Sequence, residues 1–141
     1  MIGGLTIVVP GEPVGKGRPR FSGKSSKPYT PARTVAHEKA MAWAGKLAMR
    51  GYPPVTDQLE VTFTAFFPIP ESWTKEKTAR ALDGSFRRAP VDLDNLVKCL
   101  DALNGIVWHD DTQIVRLTAS KGYAAEPKTI IGIKPLDTPH E

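Results

Sequence analysis

The stretch LEVTFTAFF, Leu59 to Phe67, decides the fold class. Apolar residues alternate with polar or small ones, and the run is rich in β-branched and aromatic side chains. That pattern predicts a strand with one face in a core. Working outward toward the N-terminus, Thr30 as N-cap and Pro31 in the first turn open a helix that runs to about Arg50. Gly51 with Pro53 and Pro54 stops it. Before that helix, Gly11 to Pro31 holds four prolines and four glycines, so it reads as one long loop, a length that is commonly functional. Leu5 to Val9 (LTIVV), closed by Pro10 and Gly11, predicts a first strand.

Toward the C-terminus, Ser72 suits the cap of a short helix through Leu82 that ends at Gly84. Leu93, Leu96, Val97, Leu100 and Leu103 fall at i, i+3, i+4, i+7 and i+10. One apolar face over about 92–104 is a helix, with Asn104-Gly105 as its stop. Gln113 to Tyr123 and Lys128 to Ile133 predict two more strands, paired as a hairpin around Glu126-Pro127. The order β, α, β, short α, α, β, β implies an α+β fold: a small mixed β-sheet with helices packed mainly on one face. The 141 residues make a single domain, with no internal repeat.

Composition narrows the function classes. No apolar run approaches the roughly 18 residues of a membrane span, so no membrane partner is expected. The first residues, MIGGLTIVVPG, lack the basic start of a secretory signal, and one cysteine, Cys99, rules out an internal disulfide framework. Both fit a cytoplasmic protein. The net charge of +4 is unevenly distributed. From Lys16 to Arg33 there are six basic residues (Lys16, Arg18, Arg20, Lys24, Lys27, Arg33) and no acid. From Asp92 to Asp111 there are five acids (Asp92, Asp94, Asp101, Asp110, Asp111) against one base, Lys98. The basic segment attracts a polyanion, whereas clustered carboxylates beside it repel one unless they hold cations.

Two aspartates at i and i+2, as in Asp92-Leu93-Asp94, point about 200° apart on a helix but to one side of an extended chain. Pro90 biases Ala89 toward extended structure, so both carboxylates converge where extended chain becomes helix. Lys98 stands one turn beyond Asp94. Oxygen ligands without nearby Cys and His clusters suit Mg²⁺ and not zinc. A D-x-D alone also suits a helix cap and a solvated turn. An EF-hand loop starting at Asp92 is excluded, because Val97 and Leu103 stand where it needs Gly and Glu. A phosphatase-type D-x-D follows an apolar strand, which Phe86-Arg87-Arg88-Ala89-Pro90 is not.

The stretches Pro90-Val91-Asp92-Leu93-Asp94-Asn95-Leu96-Val97-Lys98, Leu100-Asp101-Ala102-Leu103-Asn104-Gly105 and Trp108-His109-Asp110-Asp111-Thr112-Gln113-Ile114-Val115 resemble the RusA family of Holliday-junction resolvases. Lys16-Gly17-Arg18-Pro19-Arg20 and Tyr29-Thr30-Pro31-Ala32 are similar to its phage and prophage members, and the likeness covers nearly the whole chain. The resemblance implies a crossover junction endodeoxyribonuclease that resolves four-way junctions by paired symmetric nicks. It implies catalytic, metal-holding acids at Asp92, Asp94 and Asp111, with Asp110 open as the alternative third ligand, and a catalytic lysine at Lys98. It further implies a Mg²⁺ cofactor, with Mn²⁺ able to substitute, branched DNA as partner, and a homodimer. Some members carry a basic residue where Val91 stands. Arg87 and Arg88 lie close enough in sequence to contact DNA in its place, alongside Lys16, Arg18, Arg20, Lys24, Lys27 and Arg33. The competing readings are a Mg²⁺-dependent nuclease for flaps or forks and a non-catalytic DNA-binding protein. Phe21 and Tyr29 suit stacking on bases or anchoring the loop. Cys99 is expected to be a partly buried small residue, His109 a surface imidazole, and Trp43, Trp73 and Trp108 packing anchors.

Overall fold

The structure, a computed structural model, describes residues 4–16, 20–21, 28–29 and 32–136. Its elements run β1 (Leu5–Pro10), β2 (Arg20–Phe21), β3 (Pro28–Tyr29), α1 (Ala32–Met49), β4 (Leu59–Phe67), α2 (Lys75–Leu82), α3 (Leu93–Val97), β5 (Ile114–Tyr123) and β6 (Lys128–Pro135). Tighter 3-10 turns cover Lys98–Leu103 and Asp111–Gln113. Within the expected 11–31 loop, β2 and β3 pair as a two-residue antiparallel ribbon.

Alternation in β4 does what the sequence implies: Leu59, Val61, Phe63, Ala65 and Phe67 are all buried. The sheet order is β1-β6-β4-β5, with β4 antiparallel to β6 and parallel to β5, a mixed sheet in an α+β fold. The expected hairpin between β5 and β6 does not form. The chain leaves β5, passes the end of β4, where the Ala124 N–H donates to the Phe67 carbonyl at 3.1 Å, and returns beyond it as β6. The reason lies in the side chains. A strand that buries five residues belongs at the centre, with a partner on each edge. β5 exposes Val115, Arg116, Leu117 and Thr118, which suits an edge.

α1 lays Thr34, His37, Met41, Gly45 and Met49 inward, against β1 and the 3-10 segment. A Cβ on Gly45 would meet Leu103 Cδ2 at 2.7 Å, so this mid-helix glycine sets how closely α1 approaches. Trp43 corrects an expectation: it lies on the opposite side of α1 and is 63% exposed, while Trp108 is fully buried. Trp73 packs edge-on against Phe86 and Tyr123, as an anchor should. At the end of α1, Arg50 (φ 50°) and Gly51 (φ 83°) turn left-handed and break the helix as predicted. The expected cap at Thr30 and Pro31 lies outside the described residues.

Two helix expectations shift. Thr74, not Ser72, caps α2, because its Oγ1 accepts the Lys77 N–H at 3.1 Å. The single helix expected over 92–104 is α-helical only to Val97 and then tightens. Leu96 with Cys99, and Leu100 with Leu103, are buried pairs three residues apart, the spacing that a 3-10 turn stacks. Gln113, expected to start β5, instead closes the turn before it.

Candidate active site

The chain reaches Asp92 along an extended strap after α2, and β5 holds that strap by its carbonyls. The half-buried Lys121 donates its Nζ to the carbonyls of Ala89 (2.8 Å) and Val91 (2.7 Å), and Tyr123 donates its hydroxyl to the Arg88 carbonyl (2.7 Å). Upstream, Arg87 Nε donates to the Gly84 carbonyl at 3.1 Å, and both Arg87 and Arg88 are exposed. Pro90 supplies the extended bias, and these hydrogen bonds fix it.

At the strap's end, Asp92 occupies the N-cap position of α3 with extended backbone, yet its side chain makes no capping bond. Its carboxylate is exposed and uncommitted to the helix. Asp94 and Lys98 are also exposed. Lys98 Nζ donates to Asn95 Oδ1 at 3.0 Å, so its partner is the residue after Asp94 and not Asp94 itself.

The later acids form a second group. Gln113 organises it: its Oε1 accepts the N–H groups of His109 (2.8 Å) and Asp110 (3.0 Å), and its Nε2 donates to the carbonyls of Val55 and Asp57. Asp110 in turn accepts the Thr112 N–H at 3.4 Å, completing a capping box. Hydrogen bonding from the carboxyls of Asp110 and then Asp101 raises the pKa of Asp111 above the usual carboxylate value. Asp101 stands seven residues beyond Asp94, roughly 12 Å of rise. The D-x-D therefore presents two acids and the Asp111 corner presents three. Among the described residues, no three His, Cys, Asp or Glu side chains share one ion-holding position. The donor chemistry suits a hard divalent cation, since every candidate ligand is a carboxylate.

The root of the basic segment lies against this region. The Lys16 N–H donates to the Asn95 carbonyl at 2.9 Å, and a Cβ on Gly15 would meet Val91 Cγ1 at 2.6 Å. Lys16 Nζ pairs with Glu38 (3.1 Å) and lies 3.9 Å from Asp101, while Arg33 pairs with Glu12 at 3.2 Å. Arg18, Lys24 and Lys27 lie outside the described residues, and Arg20 is described only as part of β2. Cys99 is buried, and burial pushes its thiol up to about 12, so it is no nucleophile. His109 is exposed, as expected.

Sequence reasoning missed Lys121, Gln113 and the place of Asp101 beside Asp111. A lysine inside a strand looks like the polar half of an alternation, and nothing local says that its partners are carbonyls some thirty residues upstream. For Lys121→Met, which keeps chain length but removes both hydrogen bonds, we expect faster amide exchange at Asn95 and Leu96. Their N–H groups donate to the Asp92 carbonyl at the helix start. The increase should be about tenfold or more, with the β4 amides unchanged. Unaltered exchange at those two amides would show that the strap holds without the lysine.

Residues 10–134 match the model of the endodeoxyribonuclease RusA family, a span that contains the strap, both acid groups and the sheet apart from nearly all of β1 and the last residue of β6. The chain is also 32% identical over 136 residues to the uncharacterized protein YqaN of Bacillus subtilis (strain 168), covering 92% of this chain and 95% of that protein. No described helix is long and apolar enough to cross a membrane. With the match running through the D-x-D, Lys98 and the Asp110-Asp111 corner, this chain belongs to the RusA family of endodeoxyribonucleases.

Proposed function

We propose that the protein is a Mg²⁺-dependent endonuclease that resolves four-way DNA junctions by paired symmetric nicks and acts as a homodimer. One observation carries the reading: in a chain of this nuclease family, an aspartate that makes no capping bond and its i+2 partner stand exposed at the end of a pinned strap, with Lys98 exposed one turn further on and bonded to Asn95. Asp92 and Asp94, with Asp111 from the second acid group, would hold the metal, with Mn²⁺ able to replace Mg²⁺; the described residues do not bring the three to one ion-holding position. Two features favour a cation at these acids: the carboxylate of Asp92 has no work in the helix cap, and Asp111 has the carboxyls of Asp110 and Asp101 as neighbours, which raise its pKa by hydrogen bonding first and like charge last. When bound, the ion neutralises charge on the scissile phosphate and lowers the pKa of an attacking water.

The chain's own groups do the rest. Lys98, exposed one turn beyond Asp94, would meet charge that develops on the phosphoryl oxygens. Arg87 and Arg88, exposed on the strap, would contact phosphate on the approach to Asp92. Lys16, Arg18, Arg20, Lys24, Lys27 and Arg33 would grip the backbone near the branch. Lys16 and Arg33 are held in the meantime by Glu38, Asp101 and Glu12, carboxylates that an arriving phosphate displaces. Paired nicking needs two equivalent sites, which a two-fold dimer supplies.

The test is cleavage of strand-labelled four-way junctions, flaps, forks and linear duplex, each with Mg²⁺ and with EDTA. Symmetric nicks on the junction that need Mg²⁺ are the expected result, from a protein that light scattering reports as a dimer at micromolar concentration. Preferred cutting of flaps or forks would move the substrate, and junction binding without cutting in any divalent metal would end the nuclease reading. A monomer at that concentration would end the paired mechanism.

A further inference from the structure

The exposed side of α1 carries Lys39, Trp43 and Lys46, with Arg50 just past its last residue. Their positions are i, i+4, i+7 and i+11, so at 100° per residue all four fall within a sector of about 60°. That sector faces away from the buried stripe of Thr34, His37, Met41, Gly45 and Met49. The result is a straight row of three cations and an indole, about 16 Å long.

A merely solvated helix face mixes acids with bases, because Glu–Lys pairs one turn apart stabilise it. This one does not. The single acid of α1 is Glu38, which is half-buried and paired with Lys16. Among the described residues, Lys39, Lys46 and Arg50 take part in no ion pair. Trp43, the largest side chain in the row, is 63% exposed, an arrangement that apolar burial opposes. Duplex DNA carries one negative charge per roughly 1.7 Å of axis, so 16 Å of it presents about ten. Three ammonium or guanidinium groups and an indole N–H are all donors to phosphate oxygens, and none of them accepts. The row lies next to the root of the basic segment, since Glu38, which holds Lys16, is the neighbour of Lys39.

We propose that this row is a phosphate-contact surface for a duplex arm, separate from the D-x-D and from the basic segment. The proposal takes its partner, DNA, from the family reading, but it does not depend on the chemistry at Asp92. Its function is to hold one arm of the substrate along α1 while the basic segment engages the branch. Arg50 is held at φ 50°, a conformation that glycine adopts without strain, so Arg50→Gly removes the charge without a backbone penalty.

The experiment compares the full-length protein with the triple variant Lys39→Gln, Lys46→Gln, Arg50→Gly. Binding to a short linear duplex and to a four-way junction is measured in EDTA between about 50 and 200 mM salt. On both DNAs we expect weaker binding and a log-affinity slope against log salt that is shallower by about 2.7, the value for three lost contacts. Tryptophan emission should change on duplex binding in the wild type, and much less in Trp43→Phe. An unchanged slope would overturn the proposal. So would a triple variant that elutes as a smaller species than the wild type, which would make the row a contact between copies of the chain. A wild type that binds duplex through this row but never cuts would leave the proposal standing and end the nuclease reading instead.

Discussion

Asp94→Asn is expected to reduce junction cleavage about a thousandfold or more while leaving junction binding in EDTA near the wild-type value. The substitution keeps the shape of the side chain and removes one negative charge from an exposed position in the first turn of α3. As a stability change it is small. Acids near a helix start contribute up to about 1 kcal/mol, and α3 is short, so Tm should fall by only a few degrees. As a catalytic change it is large, since a carboxylate that helps hold the metal supports several kcal/mol of transition-state stabilisation, and each 1.4 kcal/mol is tenfold in rate. DNA binding should hold steady or tighten slightly, because the lost charge repels phosphate. The decisive measurement is single-turnover cleavage at saturating Mg²⁺, with Tm and junction affinity recorded on the same preparation. Cleavage within a fewfold of wild type would remove Asp94 from the metal set. Loss of cleavage with a matching loss of fold would assign the residue a structural role.

What the sequence made legible was local. The alternation over Leu59–Phe67 announced a half-buried strand, and it lies at the centre of the sheet. Leucines at helical spacing placed Leu96, Leu100 and Leu103 inward, which leaves Asp92, Asp94 and Lys98 facing out. Pro90 foretold the extended entry to Asp92, and the uncapped geometry there agrees with it. What stayed hidden depends on partners distant along the chain. Strands adjacent in sequence usually pair, so β5 and β6 looked like a hairpin until β4, with a buried face to complete, took the place between them. The tightening at Lys98 escaped because spacings of three and of 3.6 residues diverge little over two turns. Trp43 misled for a different reason: an aromatic residue is a core residue by default, and only the phase of α1 against the sheet shows that it points outward.

The same phase argument explains why Lys98 offers the sharper test of mechanism. Its side chain is exposed, and its one described contact is the 3.0 Å hydrogen bond to Asn95 Oδ1. An interaction of this kind one turn apart on a helix surface contributes about 0.2–0.5 kcal/mol, so Lys98→Ala should fold with Tm within a degree or two of wild type. Losing a positively charged donor that acts only in the transition state costs about a hundredfold or more in rate. If Lys98 has that role, the cleavage rate falls by this factor while junction affinity in EDTA changes by no more than one phosphate contact allows. Lys98→Arg refines the result. Arginine retains the charge but spreads it over a planar fork, and it should recover binding before it recovers rate, since an ammonium and a guanidinium place their donors differently. A Lys98→Ala protein that cuts at the wild-type rate would reduce Lys98 to a helix-surface residue. A rate loss that appears only through weaker junction binding would make it one more phosphate contact and leave Asp92, Asp94 and Asp111 to account for the chemistry alone.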